Sequence, residues 1–537
     1  MRRRLLALAG AGVLAASLAA CGGDTGSGGG GGEGGGGSAG GGAPWILGTT
    51  DTVTSLDPAG AYDLGSWTLQ YQMYQRLLTI PAGENTPQGD AAESCEYENP
   101  STLTCTLKNG LQFSNGNPLT SSDVKFSLER NINIADPNGA SVLLGSLMNE
   151  DGSMAPNAIE TPDERTVTFN LTKPDTTFQF VLTTNAAAIV DEDTFPAAQK
   201  VANAQAVGSG PFQLAQYEDG NQAVLDKSET YSGPNEAQSS RVFVKYYKEP
   251  SALKLAAENG EVDVAWRSLS PTDIEDLKQS DSVQVLEGEG SEIRYFVWQL
   301  GTQMGGEKAV RQAVAELIDR EAIAQRAYDG TVEPLYSIVP PGFPGQIDAF
   351  RDKYGDNSVD QARQMLQSAG IQTPVNLTLG YTPSHYGPAA VDEATELKRQ
   401  LDASGLFNVS LKSAEWTQYQ ELYKQNAYDL FQLGWFPDYL DADNYLSPFF
   451  VDGGFYENNY SNPQVNQLVA KEQGASEDAV REQTFQQLQR IVAEDVPLIP
   501  SWVGKNTAVV NPAMQGVEET LDPSFIFRMW TVSKSEG

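Results

Sequence analysis

The chain has 537 residues, of which 40% are hydrophobic and 9% aromatic, and it carries a formal net charge of −35 with a pI near 4.3. That length exceeds what one core fills and predicts two or three lobes. The acidic balance excludes nucleic-acid binding, which needs a basic footprint, and adsorption of the folded surface on anionic lipid. A single histidine, His385, excludes an imidazole metal cluster and leaves any Ser-His-Asp triad dependent on that residue. Between Pro383 and Gly387 it reads as an ordinary loop residue.

Arg2, Arg3 and Arg4 precede an apolar run from residue 5 to 18, the charged and apolar regions of a secretory signal. The run is too short for a transmembrane helix. It ends in Leu18-Ala19-Ala20-Cys21, which resembles a bacterial lipobox. The resemblance implies that Cys21 is diacylated on sulfur and anchors the mature chain; the alternative is an ordinary signal peptide with an incidental cysteine. No later stretch is apolar for long enough to span a bilayer, so the folded part is expected outside the membrane. Residues 22–42 are mostly Gly and cannot bury enough surface to fold. As a flexible tether of about 20 residues they reach roughly 25 Å. The Gly36-Gly37-Ser38-Ala39-Gly40 match to a nucleophile elbow follows no strand and is compositional.

In the mature chain, 45–49 opens as a strand and 55–59 turns. Residues 67–78 carry apolar positions at helical spacing (Leu69, Met73, Leu77). Cys95 and Cys105 flank a turn signal, Glu98-Asn99-Pro100-Ser101, between two strand-like runs. A disulfide stapling that hairpin suits an exported protein, with two free thiols as the alternative. Thr120 is a helix cap with Asp123 three residues on. Strands are predicted at 166–171, after the Gly208–Pro211 turn, at 262–266, 293–298, 375–379 and 409–411. Helices are predicted at 251–259 closed by Gly260, from 310 to near Gly330, at 358–369 and 391–404 closed by Gly370 and Gly405, at 416–424, and at 477–495 before Pro497.

Residues 428–433 alternate like a strand and run into Gly434-Trp435-Phe436-Pro437-Asp438-Tyr439-Leu440-Asp441-Ala442-Asp443-Asn444-Tyr445-Leu446. Three carboxylates stand there among large aromatics, and Pro437 ends the strand. Such a loop can present flat apolar faces and a negative charge to a ligand; an acidic surface turn is the alternative.

Six phrases, in order, carry a resemblance. They are Ser55-Leu-Asp-Pro-Ala59; the run 119–130 (Leu-Thr-Ser-Ser-Asp-Val-Lys-Phe-Ser-Leu-Glu-Arg); Gly208-Ser-Gly-Pro-Phe212; Val310-Arg-Gln-Ala-Val314 with Asp319-Arg-Glu321; Gly434-Trp435 with Asp441-Ala-Asp-Asn-Tyr445; and Glu494-Asp-Val-Pro-Leu-Ile-Pro500. Together they resemble the family 5 extracellular solute-binding proteins, the oligopeptide- and dipeptide-binding components of ABC importers. The resemblance implies an α/β, two-lobed periplasmic-binding-protein type II fold with a subdomain on the first lobe. Lobe I would be 43–63, 188–288 and 508–537, the subdomain 64–187, and lobe II 289–507, with 508–510 returning to pair with early strands. Residues 1–20 would be the signal peptide and 21–42 the lipidated cysteine and tether.

The resemblance also implies an extended peptide held between closing lobes, its backbone paired with Gly434, Trp435 and Phe436 and with Val53 and Thr54. Asp438 matches the acid that receives the ligand ammonium. Trp416 matches a side-chain-pocket aromatic, with core packing as its alternative. Arg294 is the candidate cation for a ligand carboxylate, with a structural ion pair as its alternative. Asp441 and Asp443 are expected to shape the loop or face solvent. Gln432 departs from relatives that carry a basic residue there to hold the ligand's C-terminus, which leaves longer peptides or a non-peptide amine open. The implied partners are the ligand, the permease subunits of an ABC importer and, through the lipid, the outer face of the cell membrane. A monomer without cofactor or metal is expected. The acid spacing lacks the glycine and distal glutamate of a calcium loop. Alternatives are a nickel complex or oligosaccharide as solute, a peptide-signal receptor, and a secreted carboxylate hydrolase. The last needs two opposed acids about 5–10 Å apart, which acids on one loop make awkward.

Overall fold

The computed structural model describes residues 42–535 apart from 268, 356, 384 and 388. The signal sequence, Cys21 and nearly all of the tether lie outside the described residues. Two large hydrophobic cores organise the rest. One gathers side chains from Trp45 to Trp266 together with Ala508 to Val532. The other gathers Ile293 to Val503, joined by Ile80 and Phe180 from the first part of the chain.

Short-range chemistry accounts for most elements. Strand β1 (Trp45–Thr49) forms as predicted. Helix α1 (Leu64–Met73) begins earlier than its apolar spacing suggested, because Asp63 caps it by accepting from the Ser66 N–H, and it stops at Tyr74, whose backbone is extended. Strands β2 (Ala92–Asn99) and β3 (Thr102–Leu107) are the predicted hairpin; Cys95 and Cys105 face each other in its ladder and are disulfide-bonded. Helix α2 (Ser121–Ile134) starts at the predicted Thr120–Asp123 capping box. Strands β4 (Ile159–Asp163) and β5 (Thr166–Asn170) complete a four-stranded sheet in the order β2-β3-β5-β4.

A larger mixed sheet runs past both cores. Its first members are β6 (Phe212–Glu218), β7 (Gln222–Lys227), β8 (Arg241–Tyr246) and, after helix α3 (Pro250–Glu258), β9 (Val264–Trp266). Then come β10 (Gln284–Trp298), α4 (Lys308–Leu317), α5 (Arg320–Tyr328), β11 (Val332–Pro334), α6 (Val359–Ser368), β12 (Val375–Tyr381), α7 (Ala389–Ala403), β13 (Phe407–Ser413), α8 (Trp416–Lys424) and β14 (Leu430–Trp435). Helices α9 (Pro463–Gln473) and α10 (Asp478–Asp495) and strand β15 (Leu498–Val510) follow. The sheet order is β13-β12-β14-β10-β15-β9-β1-β8-β7-β6, with β11 on β15.

Three features correct the sequence reading. The single helix predicted to end near Gly330 is two helices, because Ile318 is extended and Asp319 caps a new start. Helix α9 was not anticipated. Strand β10 is far longer than 293–298: its residues 284–289 pair with 505–510 of β15 and its residues 293–297 with 498–503, across a slip in register at Gly290 and Glu292. Residues 508–510 do return to the early strands, but their partner is β9, which stands between them and β1.

Candidate functional site

Strand β14 ends in the stretch singled out by its acids and aromatics. Gly434 pairs with Arg294, and Trp435 with Ile293, on β10. On the opposite side, β12 reaches only Leu430 and Phe431. The Gly434 N–H therefore has no ladder partner there and donates to Tyr386 Oη at 3.1 Å. A Cβ on Gly434 would lie 2.1 Å from Arg294 Nη1, so a side chain at this position displaces the guanidinium.

Beyond Pro437 the chain folds around Asn444. Its Oδ1 accepts from Trp435 Nε1 (3.0 Å) and from the Asp438 N–H (2.9 Å). Its Nδ2 donates to Asp438 Oδ2 at 3.1 Å. The other oxygen, Asp438 Oδ1, accepts from Tyr62 Oη at 2.5 Å. Tyr62 belongs to the turn before α1, beside Trp67 of the first core. Asp438 therefore touches a residue 376 positions away, from the other core's side of the molecule. Only hydroxyl and amide donors meet the carboxylate; no Lys or Arg among the described residues forms an ion pair with it. Burial pushes its pKa up to about 6, and the Tyr62 and Asn444 hydrogen bonds hold the rise in check.

The flanking aromatics divide between the cores. Trp435 packs edge-to-face on Phe449, ring centroids 4.9 Å apart. Phe436 packs edge-to-face on Phe525 at 5.2 Å and carries the Arg267 guanidinium 5.0 Å over its ring. Trp416 opens α8 and is half-buried, with the ring of His385 stacked on it at 3.8 Å and 3°. His385 is thus an exposed loop residue, as read, but with a defined aromatic partner. Val53 packs half-buried against the first core, and the exposed Thr54 donates its N–H to Ser66 Oγ at 2.8 Å.

Arg294 is buried, ion-paired with Glu292 at 2.5 Å and held between the rings of Tyr386 (4.1 Å) and Trp502 (5.1 Å). Its structural pairing is therefore present. Gln432 turns into the core and donates to Glu393 Oε2 at 2.6 Å; Glu393 also accepts from Tyr328 Oη and Ser501 Oγ, and burial raises its pKa.

Asp441 and Asp443 shape the loop and are buried, which corrects the solvent-facing alternative. Arg481 of α10 grips both oxygens of Asp441 at 2.8 Å and reaches Glu472 of α9 at 3.1 Å. Asp443 accepts from Tyr439 Oη and Gln473 Nε2. Tyr62, Arg267, Tyr386 and Asn444 were missed as site residues. Asn444 stood inside the acidic phrase; for the other three, nothing local distinguishes them, since distant pairing brings them in.

The family model of the bacterial extracellular solute-binding proteins, family 5 Middle, matches residues 86–457. The probable D,D-dipeptide-binding periplasmic protein DdpA of Escherichia coli is 25% identical over 504 residues, covering 91% of this chain and 94% of its own. The dipeptide-binding protein DppE of Bacillus subtilis is 23% identical over 488 residues, covering 86% and 87%. Among solved structures, CtaP from Listeria monocytogenes superposes with a TM-score of 0.80 at 22% identity, covering 92% of this chain and 100% of that one. The protein AgaA of A. tumefaciens R10, solved with agropinic acid, gives 0.73 at 23% identity over 92% and 99%. DppA from Helicobacter pylori, solved with the peptide STSA, gives 0.74 at 20% over 92% and 98%. At such identities these structures establish the fold, the type II periplasmic-binding-protein architecture.

Proposed function

Because the chain belongs to the bacterial extracellular solute-binding proteins of family 5, we propose that it captures peptides between two closing lobes and delivers them to the permease of an ABC importer, without chemical turnover. Lobe I is 43–63, 188–288 and 508–537 with the 64–187 subdomain, and lobe II is 289–507. Cys21 carries the lipid that holds the protein at the outer face of the cell membrane.

The observation that carries this reading is Asp438. A half-buried carboxylate met by neutral donors alone and bridged to Tyr62 of the opposite core is a cation site whose cation comes from outside the chain. A peptide's α-ammonium supplies one, in a short charge-assisted bond. Strand addition along β14 beyond Phe431, where β12 no longer pairs, would replace the Gly434 N–H bond to Tyr386 Oη and binds without reading side chains. Closure follows because a peptide lying between the lobes contacts both of them only in the closed form.

The test is mass spectrometry of whatever co-purifies, then calorimetry with a tripeptide pool and its N-acetylated counterpart. Free-amine peptides are expected to bind and acetylated ones to fail. Asp438→Asn should cost about 2–5 kcal/mol of binding, at least about thirtyfold. Undiminished affinity in the variant removes the amine role. A second reading, a non-peptide solute, is supported by the inward turn of Gln432 where some peptide binders carry a base, and by the agropinic-acid complex of the structurally similar AgaA. Retention of an amine-free small molecule would favour it.

A further inference from the structure

Away from Asp438, a second set of contacts joins the two cores, between the segment 173–180 and the end of α9. Thr176 donates its N–H to Gln473 O at 2.7 Å and its hydroxyl to Ala475 O at 3.0 Å. Gln473 O is one of the carbonyls that a helix end leaves unpaired. Lys173 Nζ reaches Gln473 Oε1 at 3.2 Å, a cation at the negative end of the helix. Phe180 stacks on Tyr439, the neighbour of Asp438, with centroids 6.2 Å apart.

Behind this contact carboxylates outnumber cations. Asp175 comes from the segment, Asp441 and Asp443 from the loop after β14, and Glu472 from α9; all four are buried, Glu472 completely. Arg481 of α10 is the one cation buried with them among the described residues, and it spends its donors on both oxygens of Asp441 and on Glu472 Oε2. Lys173 stays at the exposed rim. Asp443 accepts from Gln473 Nε2 and Tyr439 Oη, Asp175 from the hydroxyls of Ser146 and Thr177, and the Asp175 carbonyl from Tyr97 Oη. Glu472 Oε1 is left buried with no donor among the described residues, within hydrogen-bonding reach of the Asp443 carboxylate. Two carboxylates cannot donate to one another, whereas one proton between them satisfies both. Burial first, and the Asp443 charge second, push Glu472 well above the usual carboxylate range.

We propose that this contact is a proton-operated latch between the subdomain and lobe II: Glu472 and Asp443 share one proton while the segment 173–180 is docked, and its loss releases the segment. The latch rests on the two-lobe reading above for the movement, not on the identity of the solute. Docking brings Asp175 against Asp443 and excludes water, so the docked form holds the proton more tightly than the undocked one. The docked form is therefore favoured at low pH, and that advantage is lost as pH rises through the docked form's titration. Asp438 works in the opposite sense, since its protonation removes the partner of a ligand ammonium. Acid thus closes the protein without letting it grip an amine.

The experiment follows the ligand-free full chain between about pH 5 and 9, reading the radius of gyration by small-angle scattering and the exchange protection of the Thr176 amide. Wild type is expected to be compact and protected at the acidic end, and to expand and lose about tenfold or more of that protection at the basic end. Glu472→Gln puts an amide donor where the shared proton stood and should stay compact and protected throughout. Asp438→Asn should respond to pH as wild type does. Protection that ignores pH in wild type, a Glu472→Gln variant that responds as wild type does, or an Asp438→Asn variant that no longer responds overturns the latch. A constant radius beside pH-dependent Thr176 protection supports the shared proton and sinks the two-lobe movement alone. No readout uses a peptide, so failure of the peptide reading leaves the test intact. Should Glu472→Gln not fold, infrared spectroscopy of wild type decides: a protonated buried carboxyl that vanishes in step with Thr176 protection supports the latch, and none that does so overturns it.

Discussion

At the scale of single residues, Asp438 makes opposite demands on the empty and the filled protein. Its folded pKa of about 6 lies above the ordinary aspartate value of 3.8 because burial penalises the anion. A carboxyl raised on folding favours the protonated state. Its stabilising contribution is full below about pH 4 and is lost as pH rises towards 6. At pH 7 the ligand-free protein therefore carries a desolvated charge, and Asp438→Asn should melt at or above wild type there, by up to about 1–3 kcal/mol, with the gap closing near pH 4. Thermal unfolding of ligand-free protein at the two pH values checks this; a variant less stable at pH 7 contradicts it. Amine ligand should reverse the order. Tyr62 gives the companion prediction. Its hydroxyl fills the oxygen that an ammonium would take, so Tyr62→Phe removes a competitor and leaves the anion less satisfied. Affinity for a free-amine peptide at pH 7 should rise by about tenfold or more, the yield of one hydrogen bond to a charged group. A fall in the titration would instead make Tyr62 a ligand contact.

At the scale of elements, legibility followed the range of the forces. The Thr120–Asp123 capping box, the cysteine hairpin and helix α8 lie where the sequence put them, since each is decided by residues within about ten positions. The long β10 was half hidden, because Gln284, Glu287, Gly288 and Glu289 are poor strand formers made extended by pairing with β15. The break at Ile318 was hidden for the converse reason: apolar periodicity continues through it, and only the Asp319 cap marks the new start. Within the site, Asp438 and its aromatics were legible as a composition, whereas Tyr62 and Arg267 arrive through contacts 376 and 169 residues distant in sequence. The hairpin offers a direct test. Its disulfide closes a loop of sequence separation 10, so the Cys95→Ser, Cys105→Ser double variant should lose at most ~3 kcal/mol by chain entropy. Denaturant unfolding measures it, and peptide affinity should be unchanged because the hairpin stands apart from Asp438. Gly434→Ala pushes the buried Arg294 guanidinium from its place between Tyr386 and Trp502, so it should lower stability in the same denaturant unfolding.

At the scale of the whole molecule, the two cores are joined through a ladder that does not run evenly. Strands β10 and β15 pair on both sides of Gly290 and Gly504 and slip in register between. A Cβ on Gly290 would come within 2.2 Å of Gly504 O, so backbone approaches backbone there with no side-chain padding. On the proposed two-lobe reading this junction would serve as the hinge. Contacts between the two proposed lobes include Tyr62 with Asp438, Phe436 with Phe525, Phe180 stacked on Tyr439, and Thr176 N–H donating to Gln473 O. If the proposed lobes close on the ligand, their populations should shift by the ligand's differential affinity for the two forms. Small-angle scattering should therefore show a smaller radius of gyration on adding saturating free-amine tripeptides, and none on adding their N-acetylated forms. Asp438→Asn should compact less at the same peptide concentration, because the differential affinity that drives closure has been cut. Gly290→Ala should bind the amine through an intact Asp438 but compact less, separating the hinge from the site. Equal radii with and without bound peptide would mean that the cores do not move and that the cleft closes only by local rearrangement around Asp438.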